Sequence, residues 1–339
     1  MAIILTDPVE AKLPKLNYFN RWVSPLLNDA RDLIFIHLTL KITFCIIPFS
    51  ILLFIFPNVY WLFYLGYLII LLIFFLGPFV LMLHNICHRK LFKKNYGYLN
   101  KVIPWVLGIF FGQTPETYFY HHVAMHHPEN NESDDLSSTM NYQRDSALAF
   151  LYYLGSFYFT GVANLVFYFT NKGRKKFALR IVLGEIFFIL ISIVLSYYNF
   201  KATLTVFILP LLFIRFAMMA GNWAQHAFID PYNPGNIYCN SITCINTVYN
   251  KKCFNDGYHI GHHLRPYMHW TQMPADFINH IHLYQLNNAI VFSGIDYFQI
   301  WFLLMTKNYK KLATHTVQLS EWKNEKDIIR FLKSRTRKI

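Results

Sequence analysis

Polarity changes along this chain in long blocks. Apolar runs cover residues 33–56, 60–83, 147–170, 178–198 and 202–225, with shorter ones at 102–112 and 289–305. A helix crossing a hydrocarbon core needs about 20 predominantly apolar residues. The first five runs reach that length. Residues 33–56 and 60–83 are separated only by Pro57-Asn58-Val59, and 178–198 and 202–225 only by Asn199-Phe200-Lys201. Each pair predicts a transmembrane hairpin with a very short turn. Neither an internal repeat nor a low-complexity linker interrupts the pattern, so the chain reads as one membrane domain, 33–305. An N-terminal segment, 1–32, precedes it and a basic C-terminal tail, 306–339, follows.

Basic residues give an orientation. Arg89, Lys90, Lys93, Lys94 and Lys101 follow the first hairpin, and Lys172, Arg174, Lys175, Lys176 and Arg180 precede the second. Residues 307–339 hold ten Lys or Arg against three acids. Loops rich in Lys and Arg stay on the cytoplasmic side, so both termini and all three basic regions are expected there. Run 147–170 is interrupted by Gly155, Ser156, Thr160, Gly161 and Asn164 and is rich in Tyr and Phe, as suits an interfacial helix. Run 289–305 is short and contains Asp296. The expected fold is therefore all-α, with four transmembrane helices in two hairpins beneath a cytoplasmic helical cap.

The second hairpin carries a test of this register. Glu185 lies fifteen residues before Phe200 and Arg215 fifteen after it. At about 1.5 Å per residue both reach the same depth, roughly 22 Å from the turn. Intramembrane charges pair, so a Glu185–Arg215 contact is expected. Arg215 facing an acidic substrate head group is the alternative.

Composition agrees with a membrane protein. The chain is 55% hydrophobic and 19% aromatic, and only 14% of its residues are charged, against about 25% in soluble chains. The net charge of +13 is assigned to loops facing an anionic leaflet. No groove-reading motif for nucleic acid is present. Cys45, Cys87, Cys239, Cys244 and Cys253 form no C-x-x-C pair and are expected as free thiols. A Cys239–Cys244 disulfide and a metal-ligating Cys253 are the alternatives.

The chemistry lies in the histidines. Ten of fifteen fall in four places: His84-x-x-x-His88, His121-His122-x-x-x-His126-His127, His226 within Asn222-Trp-Ala-Gln-His226, and His259-x-x-His262-His263. Each lies at or just beyond the end of an apolar run. Neutral imidazole is the commonest side-chain metal ligand, and helical spacings of three and four residues place side chains on one face. Nine rings qualify as ligands: His84, His88, His122, His126, His127, His226, His259, His262 and His263. That is too many for one ion and suits two. The ligand type alone leaves zinc, copper, iron and nickel open. His121, one residue out of phase, is expected to support the ligands or to be structural. His37, His269, His280, His282 and His315 are expected at the surface, at the interface or without a role.

The three boxes H-x(3,4)-H, H-x(2,3)-H-H and H-x-x-H-H occur here in order, with an N-x-x-x-H element between the second and third. In this the chain resembles the membrane fatty-acid desaturase and hydroxylase superfamily, over about 33–305. The run Gln113-Thr-Pro-Glu-Thr-Tyr, with box two after it, resembles a bacterial-type desaturase branch, while the three-residue gap in box two is similar to the alkane hydroxylases. The resemblance implies a non-haem centre of two iron ions, with O2 as co-substrate, that introduces a double bond into a fatty-acyl chain. It implies that Asn222 holds a metal-bound water. Asp256, with Glu129, Asp134 and Asp135, is a candidate to orient imidazole N–H groups. Hydroxylation of an alkane, acyl, sterol or carotenoid lipid is the main alternative, and a metal transporter a remote one. The sequence holds no haem-domain, dinucleotide or ferredoxin motif. Electrons are thus expected from a separate ferredoxin or small cytochrome with its reductase.

Overall fold

The computed structural model describes residues 3–12 and 17–339. Four helical segments are long and apolar enough to cross a membrane: Ala30–Ile55, Trp61–His88, Ala147–Asn171 and Lys175–Gln225. We label α1 (Leu33–Ile55) and α2 (Trp61–His88) for the first pair. In α2 a π-helical turn, Ile70–Phe75, widens the helix just before Gly77-Pro78. The segment 117–129 is α3, Ala147–Asn171 is α4, Lys175–Thr203 is α5 and Leu209–Gln225 is α6.

The set of long segments differs in two ways from expectation. Helix α4 is a continuous 25-residue helix despite Gly155 and Gly161. At about 1.5 Å per residue it measures ~37 Å, enough for the hydrocarbon core, so the expectation that it lies in the interface is not set by its length. The second hairpin is one helical run of 51 residues, broken where Asn199 adopts extended angles (φ −154°, ψ 98°).

The chain divides into two compact units. One comprises Glu10–His121 and Val162–Arg215. Here α1 and α2 run antiparallel: Ser50 Oγ donates to Tyr67 Oη at 3.2 Å, and Thr39 Oγ1 lies 3.7 Å from Met82 Sδ. The limbs of the 51-residue run are likewise folded back on each other, with the Phe188 and Phe207 rings 6.3 Å apart. The expected ion pair is present, Arg215 Nη2 lying 3.6 Å from Glu185 Oε2. In a straight helix thirty residues would separate them by ~45 Å. Asn199 Nδ2 donates to Leu53 O at 3.1 Å and so ties the break to the end of α1.

Packing in this unit depends on two glycines. Gly112 has φ +72°, and a Cβ there would fall 2.1 Å from the Leu211 nitrogen. Gly184 on α5 lets Pro115 approach, since a Cβ would lie 1.8 Å from the Pro115 carbonyl oxygen. Beside it, Thr114 and Thr117 donate to Glu185 Oε1, at 2.5 and 2.8 Å. The Gln113-Thr-Pro-Glu-Thr-Tyr run is thereby bound to the face of α5 that carries the buried carboxylate.

The other unit comprises Met1–Val9, His122–Gly161 and Phe216–Ile339. It adds one small sheet to the mostly helical fold. Ile242–Ile245 (β1) pairs in parallel with Ile290–Ser293 (β2), Ile242 opposite Ile290. Both strands are four-residue, mostly apolar segments, each with one hydroxyl residue (Thr243, Ser293), and all of β1 is buried. Parallel strands require a long crossover, and here it contains the third box, on α7 (His259–Leu264). Residues 289–305 thus form a strand, a turn at Gly294 (φ +80°) and helix α8 (Tyr297–Met305). Asp296 is the N-cap of α8, in a capping box with Gln299.

The basic C-terminal residues form α9 (Tyr309–His315) and α10 (Glu325–Arg335). Leu312 and Leu332 join Ile242, Phe292 and Ile300 in one buried core. Arg144, fully buried, secures this end. Its guanidinium donates to the carbonyls of Thr139, Met140, Tyr142, Ala227, Arg335 and Arg337. Burial pushes its pKa down to about 10, which leaves it charged.

Candidate metal centre

Box two sits on α3, whose middle, His122–His126, is π-helical. A π turn bonds i to i+5, so residues five apart become neighbours. His122 Nε2 accordingly lies 3.2 Å from His127 Nε2. The simple expectation of an α-helical His122/His126 pair for one ion gives way to a division. His122 and His127 form one group with His262, their nitrogens within 4.8 Å of one another. His126 joins His226, His259 and His263 in another, to the same limit. Box three is divided in the same way, one ring to the first group and two to the second.

The nitrogens face each other closely. His127 Nε2 is 2.9 Å from His262 Nε2. His259 Nε2 lies 3.1 Å from His226 Nε2 and 3.0 Å from His263 Nε2. Imidazole nitrogens bind a divalent ion at about 2.0–2.1 Å, which puts two ligands at right angles about 3 Å apart. The observed spacings match, so the rings fit a metal. The second group is buried throughout. Burial, with the charge of His126 adding to it, lowers the His226 pKa to about 3. Burial lowers that of His263 well below its ordinary value, with the neighbouring histidines adding to it. Both rings are neutral at pH 7 and keep their lone pairs.

The outward nitrogens are held as well. His126 Nδ1 hydrogen-bonds Asp135 Oδ2 at 2.6 Å, and His226 Nδ1 donates to Asn240 O at 2.8 Å. Fixing Nδ1 as the protonated nitrogen leaves Nε2 as the ligand atom. Burial raises the Asp135 pKa, but His126 and the hydrogen bonds from Ser137 outweigh it and hold the group well below its ordinary value. Thr139 Oγ1 donates to His226 O at 2.6 Å. Among the acids read from the sequence, Asp135 is the partner of His126. Asp256 accepts from Tyr249 Oη at 2.5 Å. Asn222 Nδ2 donates to Ser137 O at 2.9 Å and Tyr153 Oη at 2.8 Å, which braces it one turn before His226.

The remaining residues are placed as follows. His84 and His88, one turn apart at the end of α2, have ring centroids 5.3 Å apart. His121 closes the α-helical turn before box two and belongs to neither group of converging nitrogens. His269 is not at the surface: it is 1% exposed, and its Nδ1 accepts from Thr271 N to cap the turn Trp270–Gln272. Trp270 is buried beside it. His280 contacts Asp276 and Arg265. All five cysteines are free, so Cys239 and Cys244 form no disulfide. Sequence reasoning missed Asn240, whose contribution is a backbone carbonyl, and Arg144, which carries no motif.

Long apolar helices and two groups of converging histidine nitrogens that could hold metal ions define a class: membrane proteins with a histidine-rich metal site. The fatty acid desaturase family matches residues 59–293. The chain belongs to that family and is an oxidoreductase. No curated protein and no solved structure matches it.

Proposed function

We propose that the protein introduces a double bond into a fatty-acyl chain, using O2 and electrons from a separate donor. The observation that carries this reading is the second histidine group, four buried rings with mutually facing nitrogens. The ligand set assigned is His126, His226, His259 and His263 for one iron. His122, His127 and His262 serve the other, with His84 and His88 as further ligands by their box spacing. Two bound iron ions would supply the activation of O2 that an unactivated C–H bond requires.

The chain's own residues prepare for that chemistry. Asp135 and the Asn240 carbonyl fix the tautomers of His126 and His226. Burial keeps the His226 and His263 rings unprotonated. Asn222, held by Ser137 and Tyr153, keeps its side-chain oxygen for a polar atom or water near His226. The bilayer supplies the acyl substrate, with the histidine groups and both termini on the cytoplasmic side. The positive-inside pattern supports this sidedness, with α4 lying in the interface.

The test is expression in a desaturase-poor host with a competent electron donor, followed by lipid mass spectrometry beside His262→Ala. New unsaturated acyl chains from the wild type only are expected. New hydroxylated lipid would assign the protein to hydroxylation, and lipids unchanged in both strains would overturn the oxygenase reading.

A further inference from the structure

Outside the histidine groups, one open trough of about 560 Å³ combines a charged rim with an apolar wall. Lys101, Lys176 and Arg180 line it together with Glu116, Trp105, Leu179 and Leu183. It lies at the head of α5, where the chain passes from the Lys172–Lys176 basic stretch into its apolar run.

Glu116 is the one acid. Its backbone is left-handed, with φ +70°, an uncommon conformation for a residue with a side chain. Lys101 Nζ and Trp105 Nε1 both donate to its Oε1, the tryptophan at 2.8 Å. Burial raises its pKa, but Lys101, Trp105 and Arg180 together leave it below its ordinary value. It is therefore ionised and engages Lys101 directly. Arg180 Nη1 stands 3.7 Å from Glu116 Oε2, beyond hydrogen-bond distance, and the Arg180 side chain is 56% exposed. Lys176 is exposed on the preceding turn. Three cations against one carboxylate leave the rim at +2 (3 − 1). Below it, Leu179 and Leu183 are 57% and 51% exposed. The Trp105 ring packs 5.6 Å from Phe187 and extends the apolar wall one turn further along α5.

A cationic rim above an exposed apolar wall, at the polar end of a membrane-spanning run, matches a lipid with an anionic head. We propose that this trough binds an anionic phospholipid, its phosphate against Lys176 and Arg180 and one acyl chain along Trp105, Leu179 and Leu183. Basic pockets of this kind between membrane helices favour anionic headgroups. Glu116 holds Lys101 and Trp105 in place and leaves the other two cations facing outward. The site is independent of the histidine groups and requires only that the chain be embedded in a bilayer.

Native mass spectrometry of the full chain, released from nanodiscs containing phosphatidylglycerol and phosphatidylcholine, tests this. The wild type should retain phosphatidylglycerol in preference. Lys176→Gln/Arg180→Gln should weaken that retention about twenty-five-fold, two surface charges at about fivefold each. Leu183→Trp fills the trough without altering charge and should also abolish the preference. It decides the matter if the double variant does not fold. Soluble glycerol phosphate in excess should not displace the lipid. Equal retention of the two lipids by the wild type would overturn the proposal. So would an undiminished preference in the folded variants, or displacement by glycerol phosphate, which would leave a simple anion site.

Discussion

Asp135→Asn changes one atom and should disable the ligand ring hydrogen-bonded to it. Asp135 accepts four donors: His126 Nδ1 at 2.6 Å and Asn131 N at 2.9 Å on Oδ2, Ser137 N at 2.8 Å and Ser137 Oγ at 2.6 Å on Oδ1. An asparagine has one accepting oxygen. If that oxygen keeps the Ser137 donors, its NH2 faces the His126 ring. The ring then relieves the donor–donor clash by shifting its proton from Nδ1 to Nε2, and Nε2 is no longer a ligand. Removing such an orienting partner costs roughly 10–100-fold in metal affinity, or about 1.4–2.8 kcal/mol. Iron content and the rate of iron loss to a chelator measure this on purified protein, with Asp256→Asn as the comparison. Asp135→Asn should lose iron 10–100 times more readily, and Asp256→Asn, whose carboxylate engages Tyr249, much less. Equal iron retention in wild type and Asp135→Asn would refute the reasoning.

Three further outcomes follow from other parts of the fold. Arg215→Gln or Glu185→Gln alone strands a charge whose partner stood 3.6 Å away with both side chains 15% exposed; each should destabilise by about 3–5 kcal/mol, and the double variant by clearly less. Denaturation in detergent would disprove this if the double variant were the least stable of the three. Gly184→Ala forces a Cβ to within 1.8 Å of the Pro115 carbonyl oxygen; overpacking costs about 1–3 kcal/mol, so an unchanged Tm would contradict that packing. The metal-free protein should lose stability in acid. His226 is neutral in the fold with its pKa lowered to about 3, whereas in the unfolded chain it titrates near its ordinary 6.5. The unfolded state then binds the proton more readily, so stability is full above pH 6.5 and falls below it by about 1.4 kcal/mol per pH unit for this ring, down to about pH 3. His263 acts in the same direction. A stability curve that stays flat from pH 7 to 5 would disprove it.

The candidate ligands were legible because a histidine box is a local pattern. The Glu185–Arg215 contact was legible because a short turn fixes the depth of both limbs. The division of boxes two and three between the groups was not. Spacing arguments assume 3.6 residues per turn, and the π turn at His122–His126 sets a longer period. The pairing of β1 with β2 was hidden for a similar reason. Short, mostly apolar segments read alike as strand or helix, and only a partner 48 positions away (290 − 242) decides between them. Asn240 and Arg144 lie further still from any motif, one acting through its carbonyl and the other through six carbonyls it gathers.

These hidden features share a cause that bears on how the centre works. A ring that ligates through Nε2 is ordered by a partner on Nδ1, and the backbone groups of its own α-helix are already used. The partners therefore come from irregular segments: Asp135 from the loop before α4, and the Asn240 carbonyl from the end of the short helix Ile237–Asn240. Those segments are held in turn by Asn131, Ser137 and Thr139, and beyond them by Arg144 with the last turn of α10. The C-terminal helices thus belong to the support of the His226 end of the centre, since Arg144 bonds both Ala227 O and Arg335 O. A histidine motif specifies the ligands, and the ordering of their tautomers is distributed over the whole unit that carries them.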